Sequence, residues 1–201
     1  MAASRVERRT TPPPVQAPVS TAWASLGRRQ IVELTLPGVA IGLLTGAIAG
    51  GLAAAGGLAF HVALFTGVAL AVPLALAGAG YEILLARGTA RLGMLTPVAL
   101  YWAVAFPVVR VLHAGVVELY AGPGVAVPHG WLDFVVYQVL LSVAFAIGYW
   151  WLHENFAPRW WFRLRDRNPV ANDFIRHQLQ YAAAAEQERR QKSQHKSRRP
   201  R

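Results

Sequence analysis

The residues able to do chemistry are few, and most of them gather in one part of the chain. Arg110 and His113 stand three apart, a spacing that places both on one face of a helix. Glu118, His129 and Asp133 follow shortly after, and His61 begins another apolar stretch. A cation, imidazoles and carboxylates in that order can build an ion-pair network. They can also build a polar site for a lipid headgroup, an ion or a partner. Metal or haem ligation by His61 and His113 is a third option, but no ligand-spaced motif accompanies it, and haem needs both rings facing one interior space. The spacing favours the first option. Arg110 lies some 18 residues beyond Leu92, roughly 27 Å along a helix, so it reaches the far interface, where a long side chain can snorkel. Pairing with Glu118 or Asp133 is expected there.

Other chemistries find less support. Glu82, with Tyr81 beside it, is placed to face Arg87 or Arg91 in a structural ion pair rather than to serve as a proton relay. His153-Glu154 has no second histidine at helical spacing, so it is not a zinc-protease motif. Ser142 has no identifiable histidine–carboxylate pair at its level. Gly38 to Gly50 is not a phosphate loop, because no strand precedes it and no Lys-Ser/Thr follows. There is no cysteine, which excludes disulfides, thiolate metal sites and cysteine nucleophiles. No catalytic residue, metal ligand or cofactor is assigned.

The elements that must position these groups are membrane helices. Of 201 residues, 54% are hydrophobic and only 15% charged, against about 25% charged in soluble domains. The charge sits at the two ends and leaves the middle apolar, as in a polytopic membrane protein. The expected fold is all-α: four transmembrane helices at about 31–53, 58–85, 92–112 (with a possible extension to Leu119) and 132–152. Residues 1–30 form a proline-containing disordered tail. Residues 114–130 form an extramembrane segment, and 154–201 a basic tail. Arg28-Arg29-Gln30-Ile31-Val32 resembles a twin-arginine export signal, but the apolar run after it is too long for one.

The first helix carries Gly38, Gly42, Gly46 and Gly50, a glycine repeat of four known as a glycine zipper. The second carries Ala63, Gly67, Ala71 and Ala75 at the same interval. Small residues let helix backbones approach closely, and Gly56-Gly57 makes a short turn between the two helices, so a tight hairpin is expected. Pro73 should bend the second helix. Trp131, Trp150, Trp151, Trp160 and Trp161 are placed as membrane-interface anchors. Within the tail, 159–165 mixes aromatics with arginine and should lie among headgroups. Asn168-Pro169 starts a helix that runs to about 191, with a partly apolar face from Phe174, Ile175, Leu179, Tyr181 and the alanines at 182–185.

Basic residues set the orientation. Five Lys/Arg lie before residue 31, two in 87–91 and twelve after residue 153, while the two intervening connections have none. By the positive-inside rule both termini are cytoplasmic. Alanine and glycine richness with only two lysines suggests a GC-rich bacterial genome, hence the bacterial inner membrane. Net charge is +10. For a tail held at a membrane, the nearest polyanion is the anionic headgroup surface, so lipid and protein partners are favoured over nucleic acid. These features point to a non-catalytic accessory, assembly or anchoring subunit of a larger membrane complex. A small transporter or channel with an outer polar vestibule is the alternative, and an integral-membrane lipid-modifying enzyme the next.

Overall fold

The computed structural model describes residues 20–90, 92–122, 126–127 and 130–197. They form a single turn, α1 (Ser20–Trp23), and five long helices: α2 (Arg28–Ala55), α3 (Phe60–Ala86), α4 (Leu95–Ala121), α5 (Trp131–Leu164) and α6 (Pro169–Ser197). There is no strand among the described residues. Helices α2 to α5 are each long and apolar enough to cross a membrane. They alternate in direction, so that the start of α2, the α3–α4 connection and the end of α5 share one end of the bundle. That end carries the described arginines other than Arg110 and is called here the basic end. The leucines and valines left exposed along α2 to α5 fit a lipid-facing surface.

The most extensive interface joins α2 to α3, and its cause is the small residues. A Cβ placed on Gly42 would fall 2.5 Å from the Leu74 carbonyl carbon, and one on Gly46 2.5 Å from Ala71 Cα. Gly38 lies against Gly78, and Gly50 against Ala63 and Gly67. The strip on α3 therefore passes through Gly78 rather than continuing every fourth residue to Ala79, because a helix of 3.6 residues per turn needs a three-residue step to keep one face. Gly57, with φ +93°, turns the chain between the two helices.

Three boundaries differ from the sequence expectation. Helix α4 runs on to Ala121 before Gly122, at φ +103°, ends it. Most of the segment expected outside the membrane before Gly122 is therefore helix. Helix α5 continues past residue 152 to Leu164, absorbing residues 159–164 of the expected interfacial segment 159–165. Its buried residues, Gln138, Ser142, Ala146, Tyr149, His153, Ala157, Trp161 and Leu164, form one unbroken stripe at helical spacing. At 34 residues it is about 51 Å long, roughly 20 Å more than a hydrocarbon core, so its last turns project beyond the membrane. Helix α6 extends to Ser197, with Asn168 Oδ1 accepting from the Val170 and Ala171 N–H groups as its cap. Residues 1–19 of the expected N-terminal tail lie outside the described residues, while residues 28–30 belong to α2.

Candidate functional site

The polar residues buried in the apolar helices collect in two places. The larger group is at the basic end, and it starts from a proline. Pro37 has no N–H, so the Glu33 carbonyl one turn earlier loses its helical donor. Trp160 Nε1 donates to that carbonyl at 2.8 Å, and Trp161 Nε1 donates to the Leu34 carbonyl at 3.3 Å. Gln30 donates through Nε2 to the Arg167 carbonyl at 2.7 Å, while Asn168 Nδ2 donates to the Gln30 carbonyl at 2.9 Å. Glu33 pairs with Arg29 at 3.0 Å and with Arg167 at 3.3 Å. These contacts clasp the start of α2 to the α5–α6 junction, and they fix where α6 begins.

Trp161 is 0% exposed. The expectation that it anchors the membrane interface is thus corrected: the stripe that buries Tyr149 and His153 continues through it, and Phe174 of α6 covers it at 4.6 Å between ring centroids. Trp131 and Trp151 are exposed, while Trp150 and Trp160 are half-buried.

Beneath Trp161 lies a pair that sequence reasoning missed. His153 Nε2 is 2.9 Å from Glu82 Oε1, with side chains 2% and 0% exposed. Glu82 thus faces α5, not Arg87; Arg91 lies outside the described residues. Its direction follows from the helix: Ala71, Ala75, Gly78 and Glu82 share the buried face of α3, so the small-residue strip carries the carboxylate inward. The histidine ring is held by Tyr149, stacked at 5.7 Å, and by Tyr81 and Trp161, edge-on at 5.7 and 5.6 Å. Its other nitrogen, Nδ1, is 4.0 Å from Glu154 Oε1, and Glu154 Oε1 also accepts from the Gly93 N–H at 3.0 Å. Glu82 Oε2 and the Tyr149 hydroxyl are buried with no well-aligned hydrogen-bond partner among the described residues.

At the opposite end, part of the expected cluster assembles. Arg110 donates through Nε to Gln138 Oε1 at 3.1 Å and contacts His113 Nδ1 at 2.9 Å. His113 Nε2 lies 3.2 Å from the Thr66 carbonyl, and the Phe134 ring faces the guanidinium at 5.8 Å. Glu118 accepts instead from the Ala126 and Val127 N–H groups at 2.6 and 2.9 Å. His61 and Asp133 are exposed at the starts of α3 and α5, and His129 lies outside the described residues. Gln138, which joins Arg110 to α5, was not anticipated. Its signal was its place on the same stripe as Ser142 and Ala146. No three His, Asp or Glu side chains among the described residues come together closely enough to hold a metal ion.

No protein-family model matches this chain, and no curated protein or solved structure gives a match. Any reading of function therefore rests on the residues and their geometry.

Proposed function

We propose that the chain is a membrane-embedded adaptor, an accessory, assembly or anchoring subunit that presents α6 to a partner on the cytoplasmic side. One observation carries this reading. Helix α6 is fastened to the bundle through its first two turns, where Val170, Ala171, Phe174 and Ile175 are buried. His177 and Gln178 are half-buried, and beyond them the described side chains lie open, Leu179 at 64%. A helix of 29 residues is about 43 Å long, so most of it forms an arm. The clasp of Trp160, Trp161, Gln30 and Asn168 gives that arm a fixed root. Its arginines and lysines, together with the distribution of charge along the chain, support an orientation with both termini in the cytoplasm. The close approach of Gly38–Gly50 to α3 supports a glycine-zipper hairpin as the rigid base. The composition supports a bacterial inner membrane, whose anionic headgroups the basic end would meet.

The test compares the full chain with one cut after Gln178, each purified in gentle detergent from native membranes. A discrete partner held by the full chain and lost by the shortened one is expected, with both chains folded and of equal yield. Isolation of the full chain alone, or retention of the partner by the shortened chain, would overturn the reading.

One observation favours a second reading, a small transporter or channel: Arg110, His113 and Gln138 bring a cation and an amide into the apolar helices. Solute flux in proteoliposomes abolished by Arg110→Ala would carry it over the first.

A further inference from the structure

We propose that Glu82 and His153 form a proton-binding site loaded from the basic end through Glu154. The geometry is a line. Glu154, 25% exposed, meets His153 Nδ1 at 4.0 Å, and His153 Nε2 meets Glu82 Oε1 at 2.9 Å, where the carboxylate is 0% exposed. The imidazole uses its two nitrogens on opposite sides, one toward a carboxylate near the surface and one toward a carboxylate in the core. That is the arrangement in which a histidine passes a proton on. Tyr149 stacked on the ring, with Tyr81 and Trp161 at its edges, holds it in this orientation.

A pair kept only for structure would have its lone pairs satisfied, since a buried charge is tolerated when hydrogen bonds saturate it. Among the described residues the Tyr149 hydroxyl is buried without a partner, and besides His153 the Glu82 carboxylate faces the Gly38 backbone N–H, which leaves Oε2 short of a well-aligned bond. The carboxyl therefore keeps capacity for a proton. The exchange balances as follows. In the unloaded state His153 is neutral with its proton on Nε2, Glu82 is ionised, and the pair has one negative charge. The Glu154 carboxylate, which a side-chain rotation must bring from 4.0 Å to hydrogen-bond distance, passes a proton to His153 Nδ1, and the Nε2 proton moves to Glu82 Oε1. The pair then consists of a neutral imidazole and a neutral carboxylic acid, having gained one proton, and release reverses these steps. Other ionisable groups facing the pair are Tyr81 on α3, Tyr149 on α5 and, against Tyr81, Tyr101 on α4. The α2 and α6 residues that touch Trp161 or Tyr149, namely Leu34, Gly38 and Phe174, carry no charge.

Loading changes the charge directly beneath Trp161, the ring on which α6 is seated. The adaptor reading does not require this site, and the site does not require a partner, so each can fail without the other. The test uses the full chain in lipid nanodiscs with ¹⁵N-labelled histidine. Single substitutions of the other five histidines assign the His153 resonances. Between about pH 5 and pH 8, which brackets the ordinary histidine range, the His153 nitrogen shifts should report the change of tautomer from Nε2–H to Nδ1–H that loading requires. In Glu154→Gln, whose amide oxygen still accepts from Gly93, proton exchange at His153 should slow by about tenfold or more. His153 nitrogens that hold one state throughout, or exchange indifferent to Glu154→Gln, would overturn the proposal. Neither measurement depends on a variant of the buried pair folding.

Discussion

Glu82 and His153 each make sense only through the other. Either alone, in an apolar interior, would be a buried polar group without compensation, and breaking a buried pair costs about 3–5 kcal/mol. Glu82→Ala and His153→Ala are therefore each expected to lower unfolding stability in detergent by an amount of that order. Glu82→Met with His153→Leu, which removes both partners and refills the space, should cost less than either single change. Equal losses in the double and single variants would show that packing, not the pair, is responsible. The pair was half-legible in the sequence. In the sequence Glu82 reads as a charge near a helix end, and Arg87 and Arg91, close by, are its natural partners. His153 lies 71 residues away, and no local spacing links the two.

At the scale of helices, the α2–α3 hairpin owes its closeness to glycines on one face only. A Cβ on Gly42 meets the backbone of Leu74 and Ala75, whereas a Cβ on Gly51 meets nothing within 4 Å. Gly42→Leu should thus force the helices apart and abolish folding of the isolated chain, since backbone cannot yield as a side chain does. Gly51→Leu should leave a folded protein, as size-exclusion chromatography in detergent would show. Similar behaviour of the two variants would detach the interface from these glycines. The repeat of four was plain in the sequence. The register was not, because the strip on α3 shifts by one residue between Ala75 and Gly78. Helix α5 shows the opposite limit. Apolar composition marks only the part of a helix that lies in lipid, and it stops near residue 152. The stripe of Ala157, Trp161 and Leu164 continues beneath α6, where protein rather than lipid covers it.

For the whole molecule, the root of α6 joins the membrane bundle to the arm. Trp161, Leu164, Val170 and Phe174 share one core with Leu34 and Tyr149, so removing the root exposes the top of the bundle. A chain cut after Asn168 should lose thermal stability in detergent, while one cut after Gln178 should match the full chain. Burying a large apolar side chain contributes about 1.5–3 kcal/mol, and the longer deletion uncovers more than one. Identical melting of the two shortened chains would mean that the root contributes no stability and that α6 merely rests on the bundle.

The sequence by itself determined the four long apolar helices. Each of these is set by periodicity, composition or neighbouring residues, which act over a turn or two of chain. Tertiary structure alone decided that Glu82 meets His153, that Trp160 supplies the donor Pro37 lacks at Glu33, that Arg110 bonds Gln138, and that Trp161 is core. Those outcomes depend on which faces of helices far apart in sequence come together. A buried polar group takes whatever partner the packing brings within reach, because in an apolar interior it has no water to turn to.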